Sequence, residues 1–274
     1  MNTIFKKTLL SSLVVPFALG VQSASAALIT EWGYSAQSEF TDWTDTGGTG
    51  TITPSNGNST LSWGVGTGPQ SSISITDVVA GSGLVTNGAA VNGGVFTHTN
   101  NILPSQGTAL ATFDLTSQLT LTPFLPAAGA PQALAPITFE SFFIETGNSA
   151  GNCIPESGSV CDDIFTLGNL LAIGGMPDGE GGFVFESPSF TIADYAYTVF
   201  LQLEGLQTLS PEACTEAGTV SPCVGLITEE EAVNSFQTTF SIVATQVPEP
   251  GTLALLGMGL AGLGLARRKK AAKA

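Results

Sequence analysis

Hydrophobic and polar positions alternate with a period of two through much of this chain. Between Ala109 and Leu121 the odd positions are Ala, Ala, Phe, Leu, Ser, Leu and Leu, separated mostly by Thr, Asp and Gln. Tyr195, Tyr197, Val199, Leu201 and Leu203 alternate with Ala196, Thr198, Phe200, Gln202 and Glu204, and Phe236, Phe240 and Ile242 with Gln237, Thr239 and Ser241. This is the repeat of half-buried antiparallel strands. Further strands are predicted over 61–65, 73–76, 94–98, 137–145, 164–173 and 183–186, with turns at Asn56-Gly57, Asn87-Gly88, Asn92-Gly93 and Asp178-Gly179. Ser210-Pro211-Glu212 predicts a short helix start, and Thr228 to Glu231 fits a capping box. About ten strands without a long helix predict an all-β fold, a β-sandwich or jelly roll.

The two ends break that pattern. Lys6 and Lys7 precede an apolar stretch, residues 8–21, and Ala24-Ser25-Ala26 follows it. A basic start, a short apolar helix and a small-x-small site predict a signal peptide over 1–26, cut by signal peptidase between Ala26 and Ala27. The stretch is too short for a comfortable membrane span of about 20 residues. At the other end Pro248-Glu249-Pro250 leads into 251–266, without charge, and then into Arg267, Arg268, Lys269 and Lys270. That reads as a short transmembrane helix, accommodated by local bilayer thinning, with its basic end on the cytoplasmic side. The organisation is therefore a signal helix (1–26), a working domain (27–246) and a C-terminal anchor segment (247–274). The domain itself lies outside the inner membrane, held there transiently by the tail.

Charge sharpens this picture. All seven Lys and Arg residues lie in the terminal segments, whereas Ala27 to Val247 holds 21 Asp and Glu and no Lys or Arg. Such a domain repels phosphate backbones, which excludes nucleic acid as a partner, and anionic lipid headgroups are disfavoured likewise. Its carboxylates must be solvated, held by donors such as backbone N–H groups, or bound to cations. Self-repulsion is relieved by salt.

Four cysteines in an exported chain predict disulfides. The Gly- and Pro-containing loops between Cys153 and Cys161 and between Cys214 and Cys223 favour the two local pairings among the three possible. Zinc is disfavoured because its ligand spacing is shorter. One histidine, His98, leaves little room for His-based catalysis. Gly147-Asn148-Ser149-Ala150-Gly151 matches G-x-S-x-G, but Cys153 and Pro155 follow and His98 precedes it, so it reads as a loop. Gly64 to Gly68 leads into Pro69 and a strand, so it reads as a turn rather than a nucleotide loop. No catalytic residue or cofactor is expected. Asp42 with Asp45, Asp162 with Asp163, and Asp178 with Glu180 are close enough to share an oxygen-lined site. Calcium is the metal they would suit, with Asp42, Asp45, Asp178 and Glu180 as candidates, although near-neighbour acids are common in so acidic a domain. Trp32, Tyr34, Phe40, Trp43 and Trp63 are candidate carbohydrate stackers whose commoner role is core packing.

Pro248-Glu249-Pro250, the apolar run and Arg267-Arg268 together resemble the tail of PEP-CTERM proteins. The resemblance implies recognition by a membrane-embedded exosortase, removal of the tail, and passage towards the surface or extracellular matrix. Thr97-His98-Thr99-Asn100, behind Glu31-Trp32-Gly33-Tyr34, resembles the THxN-motif group of these proteins, with Thr97, His98 and Asn100 as its signature. That group brings no activity with it. Asn and Thr there can fix a turn after a strand, or line a ligand loop. The expectation is a non-enzymatic, exported component of the cell surface or biofilm matrix. A carbohydrate-binding module for exopolysaccharide is the second reading, for which exposed coplanar aromatic rings would speak. A secreted hydrolase is the third, for which two carboxyls about 5–9 Å apart in a cleft would speak.

Overall fold

Two antiparallel sheets follow from this alternation. In the computed structural model the described residues are 27–247, apart from 128, 148–152, 159–160, 171 and 180–181, together with 257–263. The signal segment with Ala26, the acid Glu180, and the tail residues Pro248, Glu249, Pro250, Arg267 and Arg268 lie outside them.

In chain order the strands are β1 (Glu31–Asp45), β2 (Thr53–Ser55), β3 (Thr60–Gly64), β4 (Gln70–Ile75), β5 (Val78–Val85), β6 (Val91–Thr99), β7 (Leu110–Leu125), β8 (Gln132–Ala133) and β9 (Ile137–Ile144). They continue with β10 (Asp163–Leu167), β11 (Gly175–Pro177), β12 (Phe183–Glu186), β13 (Phe190–Ile192), β14 (Tyr195–Leu203) and β15 (Gln207–Thr208). The helix α1 (Pro211–Glu216) precedes β16 (Val224–Thr228) and β17 (Val233–Gln246). One sheet runs β15-β16-β10-β9-β7-β1-β5, with β8 beside β7. The other runs β11-β12-β14-β17-β6-β4-β3-β2, with β13 beside β14.

Apolar residues of the longer strands turn between the sheets. Trp63, Phe96, Phe113, Phe143 and Phe165 build one core cluster, and Trp32, Tyr34, Leu121, Tyr197 and Phe240 a second. Their rings meet mainly edge-on, as Trp32 meets Tyr197 at 5.1 Å and 81°. Burying each such side chain contributes about 1.5–3 kcal/mol. A third, smaller cluster joins α1 to Ile164 and Cys223. Both disulfides close short local segments, Cys153–Cys161 in the β9–β10 loop and Cys214–Cys223 from α1 to the start of β16, so no cysteine is free. Ser210 caps α1, its hydroxyl accepting the Ala213 N–H at 3.1 Å, with Pro211 at the first turn.

The structure departs from the sequence reading at several places, and strands such as β2, β5 and β13 fall in stretches where the sequence predicts no strand. Residues 31–45, read only as an aromatic cluster, form the long strand β1; register shifts against β5 and β7, and inward Ala36 and Ser38, blur its period. Asn92-Gly93 is not a turn but lies within β6. There Gly93 and Gly94 permit close approach, since a Cβ would meet Thr238 Oγ1 at 2.4 Å and the Thr76 carbonyl at 2.1 Å. The strand predicted over 164–173 ends at Leu167, and the Asn169 carbonyl then accepts the Ile173 N–H in a turn. Thr228 to Glu231 forms no helix: Val224–Thr228 pairs with β10, and Glu231 takes φ 52° to turn into β17. Strand pairing there overrides the local capping signal.

Residues 257–263 are helical. Among the described residues no helix is long and apolar enough to cross a membrane.

Candidate functional site

Several strand ends converge at one rim of the sandwich. Glu145 follows β9, Asp163 opens β10, Asn100 follows β6, and Glu230 sits on the turn that carries the chain from β16 in one sheet to β17 in the other. Pairing holds these ends in register: Ile144 faces Ile164, Asp163 faces Thr228, and His98 faces Asn234. Carboxylate oxygens of Glu145, Asp163 and Glu230 come within 4.8 Å of one another.

Glu145 and Asp163 are held from behind, and the turn that carries Glu230 is pinned beside it. The Trp63 indole N–H donates to Glu145 Oε2 at 3.0 Å. The Thr146 backbone N–H donates to Asp163 Oδ1 at 2.8 Å, and the Thr146 hydroxyl donates to the Cys161 carbonyl inside the first disulfide loop. Asn234 brackets the turn, accepting from the Glu229 N–H and donating to its carbonyl, both at 3.0 Å. Glu145 Oε1 meets no hydrogen-bond partner. Burial pushes the Asp163 carboxyl up, and the Glu145 charge adds to it. Burial also raises Glu145, against the opposing Trp63 N–H, and raises Glu230, against the opposing Asn100 and Asp163 side chains. Packing three acids together resists ionising all of them at once.

The Thr97–Asn100 segment lies against this cluster. Thr97 points outward to Ser235 at 3.3 Å, while His98 and Asn100 point inward. The His98 ring stacks on Trp63 at 5.7 Å, meets Phe143 and Phe165 edge-on, and shares a 3.0 Å hydrogen bond between Nδ1 and Thr228 Oγ1. Burial pushes its pKa down to about 3, so the imidazole is neutral at neutral pH. Asn100 does not fix the turn through local backbone bonds. Its neighbour Asn101 ties the segment to β4 instead, donating from Nδ2 to the Gln70 carbonyl at 2.8 Å. The Asn100 amide lies close enough to Glu230 to lower its carboxyl pKa as a hydrogen-bonding neighbour, while its Oδ1 is buried without a partner.

Of the acid pairs noted in the sequence, Asp162–Asp163 brings Asp163 into this cluster, whereas Asp42, Asp45 and Asp178 sit elsewhere. Asp42 lies on an outer sheet face opposite Asp114 and accepts the Trp43 N–H, and Asp45 accepts the Gly47 N–H. Asp178 closes the β11–β12 hairpin by accepting the Gly182 N–H at 3.0 Å. Glu145 and Glu230 carry no local signal, because the fold brings them together from positions 85 residues apart. Trp32, Tyr34, Phe40 and Trp63 are buried and Trp43 is partly so.

The fold and its C-terminal segment define an all-β, disulfide-closed sandwich with a sorting tail. Residues 246–270 match the PEP-CTERM protein-sorting motif. That motif implies processing by an exosortase, export, and membrane-anchored sorting to the cell surface. No curated protein matches the chain.

Proposed function

We propose that the chain is a non-enzymatic structural component of the cell surface or extracellular matrix, released there after its tail is removed. The observation that carries this reading is where the motif begins. The last strand, β17, ends at Gln246, and the Val247 N–H still donates to the Asp194 carbonyl at 2.8 Å. The matched segment starts at 246, so a cut beyond Val247 removes no sheet hydrogen bond among the described residues and leaves all three core clusters whole. An acidic body without Lys or Arg stays soluble once released. The one histidine is sealed among aromatic rings, which speaks against acid–base chemistry at the surface. The buried Trp32, Tyr34 and Trp63 rings speak against an aromatic sugar-stacking platform.

Fractionation of cells producing the full chain, and a version lacking residues 248–274, tests the reading. The full chain should reach the surface or medium with its tail removed, and the truncated chain should not be retained at the membrane or sorted. Identical distributions, or a matrix fraction that keeps Arg267, would overturn it.

A further inference from the structure

We propose that Glu145, Asp163, Glu230 and Asn100 form a calcium site at the rim of the sandwich. The mutual reach of the carboxylate oxygens, 4.8 Å, is the span of two oxygens on opposite sides of one calcium ion at about 2.3–2.6 Å each. The donors are all oxygen and come from three connections, an irregular hard set that calcium accepts and that magnesium, with its strict octahedron, takes less readily. Nothing within the domain neutralises them: between Ala27 and Val247 there is no Lys or Arg. A side chain outside the acidic set points to the same ligand. Asn100 is only 1% exposed, its amide neighbours Glu230 and lowers that carboxyl's pKa, and its Oδ1 is buried without a hydrogen-bond partner. A buried carboxamide oxygen without a partner is costly, and placing Oδ1 on a cation removes that cost. Glu145 Oε1 is buried without a partner as well. The scaffold is prepared for the ion, since Trp63 and Thr146 occupy the outer oxygens of Glu145 and Asp163. The Cys153–Cys161 bridge and the β16–β17 turn hold the remaining elements. This inference stands apart from the sorting reading.

Trp63 supplies the probe, because its indole lies on a proposed ligand and can sensitise terbium(III) bound in place of calcium. Full chain purified in detergent after chelation is titrated with terbium chloride, with excitation through tryptophan, and then with calcium chloride. Saturable emission that calcium displaces is expected. Asp163→Asn and Glu230→Gln should each weaken calcium at least tenfold, while Asp114→Asn, on the outer face, should leave it unchanged. Near-ultraviolet circular dichroism checks folding; if Asp163→Asn does not fold, Glu230→Gln, on the turn, decides. Absence of saturable emission, emission that calcium does not displace, or affinity undiminished in the folded variants would overturn the site. Proton sharing among the acids would then suffice.

Discussion

Replacing Asp114 with Asn should stabilise the protein, an unusual expectation for a central strand. Asp114 sits on the outer face of β7, directly opposite Asp42 of β1 and Glu140 of β9. Opposed residues on neighbouring strands have Cβ atoms about 4.5–5.5 Å apart, and like charges there are destabilising. Two unit charges about 5.5 Å apart in water repel by about 0.75 kcal/mol, so two neighbours impose about 1.5 kcal/mol before screening. A Debye length of about 8 Å at 0.15 M salt roughly halves this. Burial, then Glu140, then Asp42 raise the Asp114 pKa. The fold therefore favours the protonated form: the penalty is present above the folded pKa and is lost as pH falls through it towards the unfolded value. The variant should gain about 1 kcal/mol at pH 7 and about 0.01 M salt, a rise of about 2–4 °C in melting temperature for a domain this size. The gain should shrink in about 1 M salt and vanish near pH 3.5. Thermal unfolding of the full chain and variant across both series measures it. Equal stability at low salt, or a difference that survives both high salt and acid, would falsify the electrostatic account.

Three further outcomes follow from packing and covalent closure. Thr86→Val should cost about 1–3 kcal/mol, because Thr86 accepts the Trp32 indole N–H at 2.9 Å and donates to the Ile29 carbonyl at 2.6 Å; urea unfolding monitored by tryptophan fluorescence measures the loss. Replacing Cys214 and Cys223 together by Ala should cost about 2–3 kcal/mol and loosen α1, which hydrogen exchange would reveal as lost protection around Ala213 and Cys214; unchanged protection would count against the bridge holding that helix. Gly225→Ala should lower stability by more than about 2 kcal/mol, since its Cβ would meet the Phe165 carbonyl at 1.8 Å, whereas Gly57→Ala adds no contact within 4 Å and suffers only from its φ of 65°. Comparing the two variants by calorimetry separates steric from conformational cost.

Much of this protein is written in local sequence. Alternation at 109–121 and 195–203 becomes β7 and β14, because a period of two needs only one buried face to be meaningful. Short Cys spacings become local disulfides because the chain between them can turn back. The sorting segment is linear, so its residues are contiguous and recognisable without a fold. The tertiary structure decided the rest. β1 escaped the pattern because register shifts interrupt its alternation, and Gly93 reads as a turn until Thr238 is seen packed against it. The acidic cluster is the extreme case. Asp42 and Asp45 are close in sequence, yet Asp42 faces Asp114 and Asp45 closes its own turn. Glu145, Asp163 and Glu230 are far apart in sequence and meet only because β9, β10 and the β16–β17 turn end at the same rim. A strand's pattern records which face is buried, but which strand ends become neighbours is set by sheet order, and that depends on the whole chain at once.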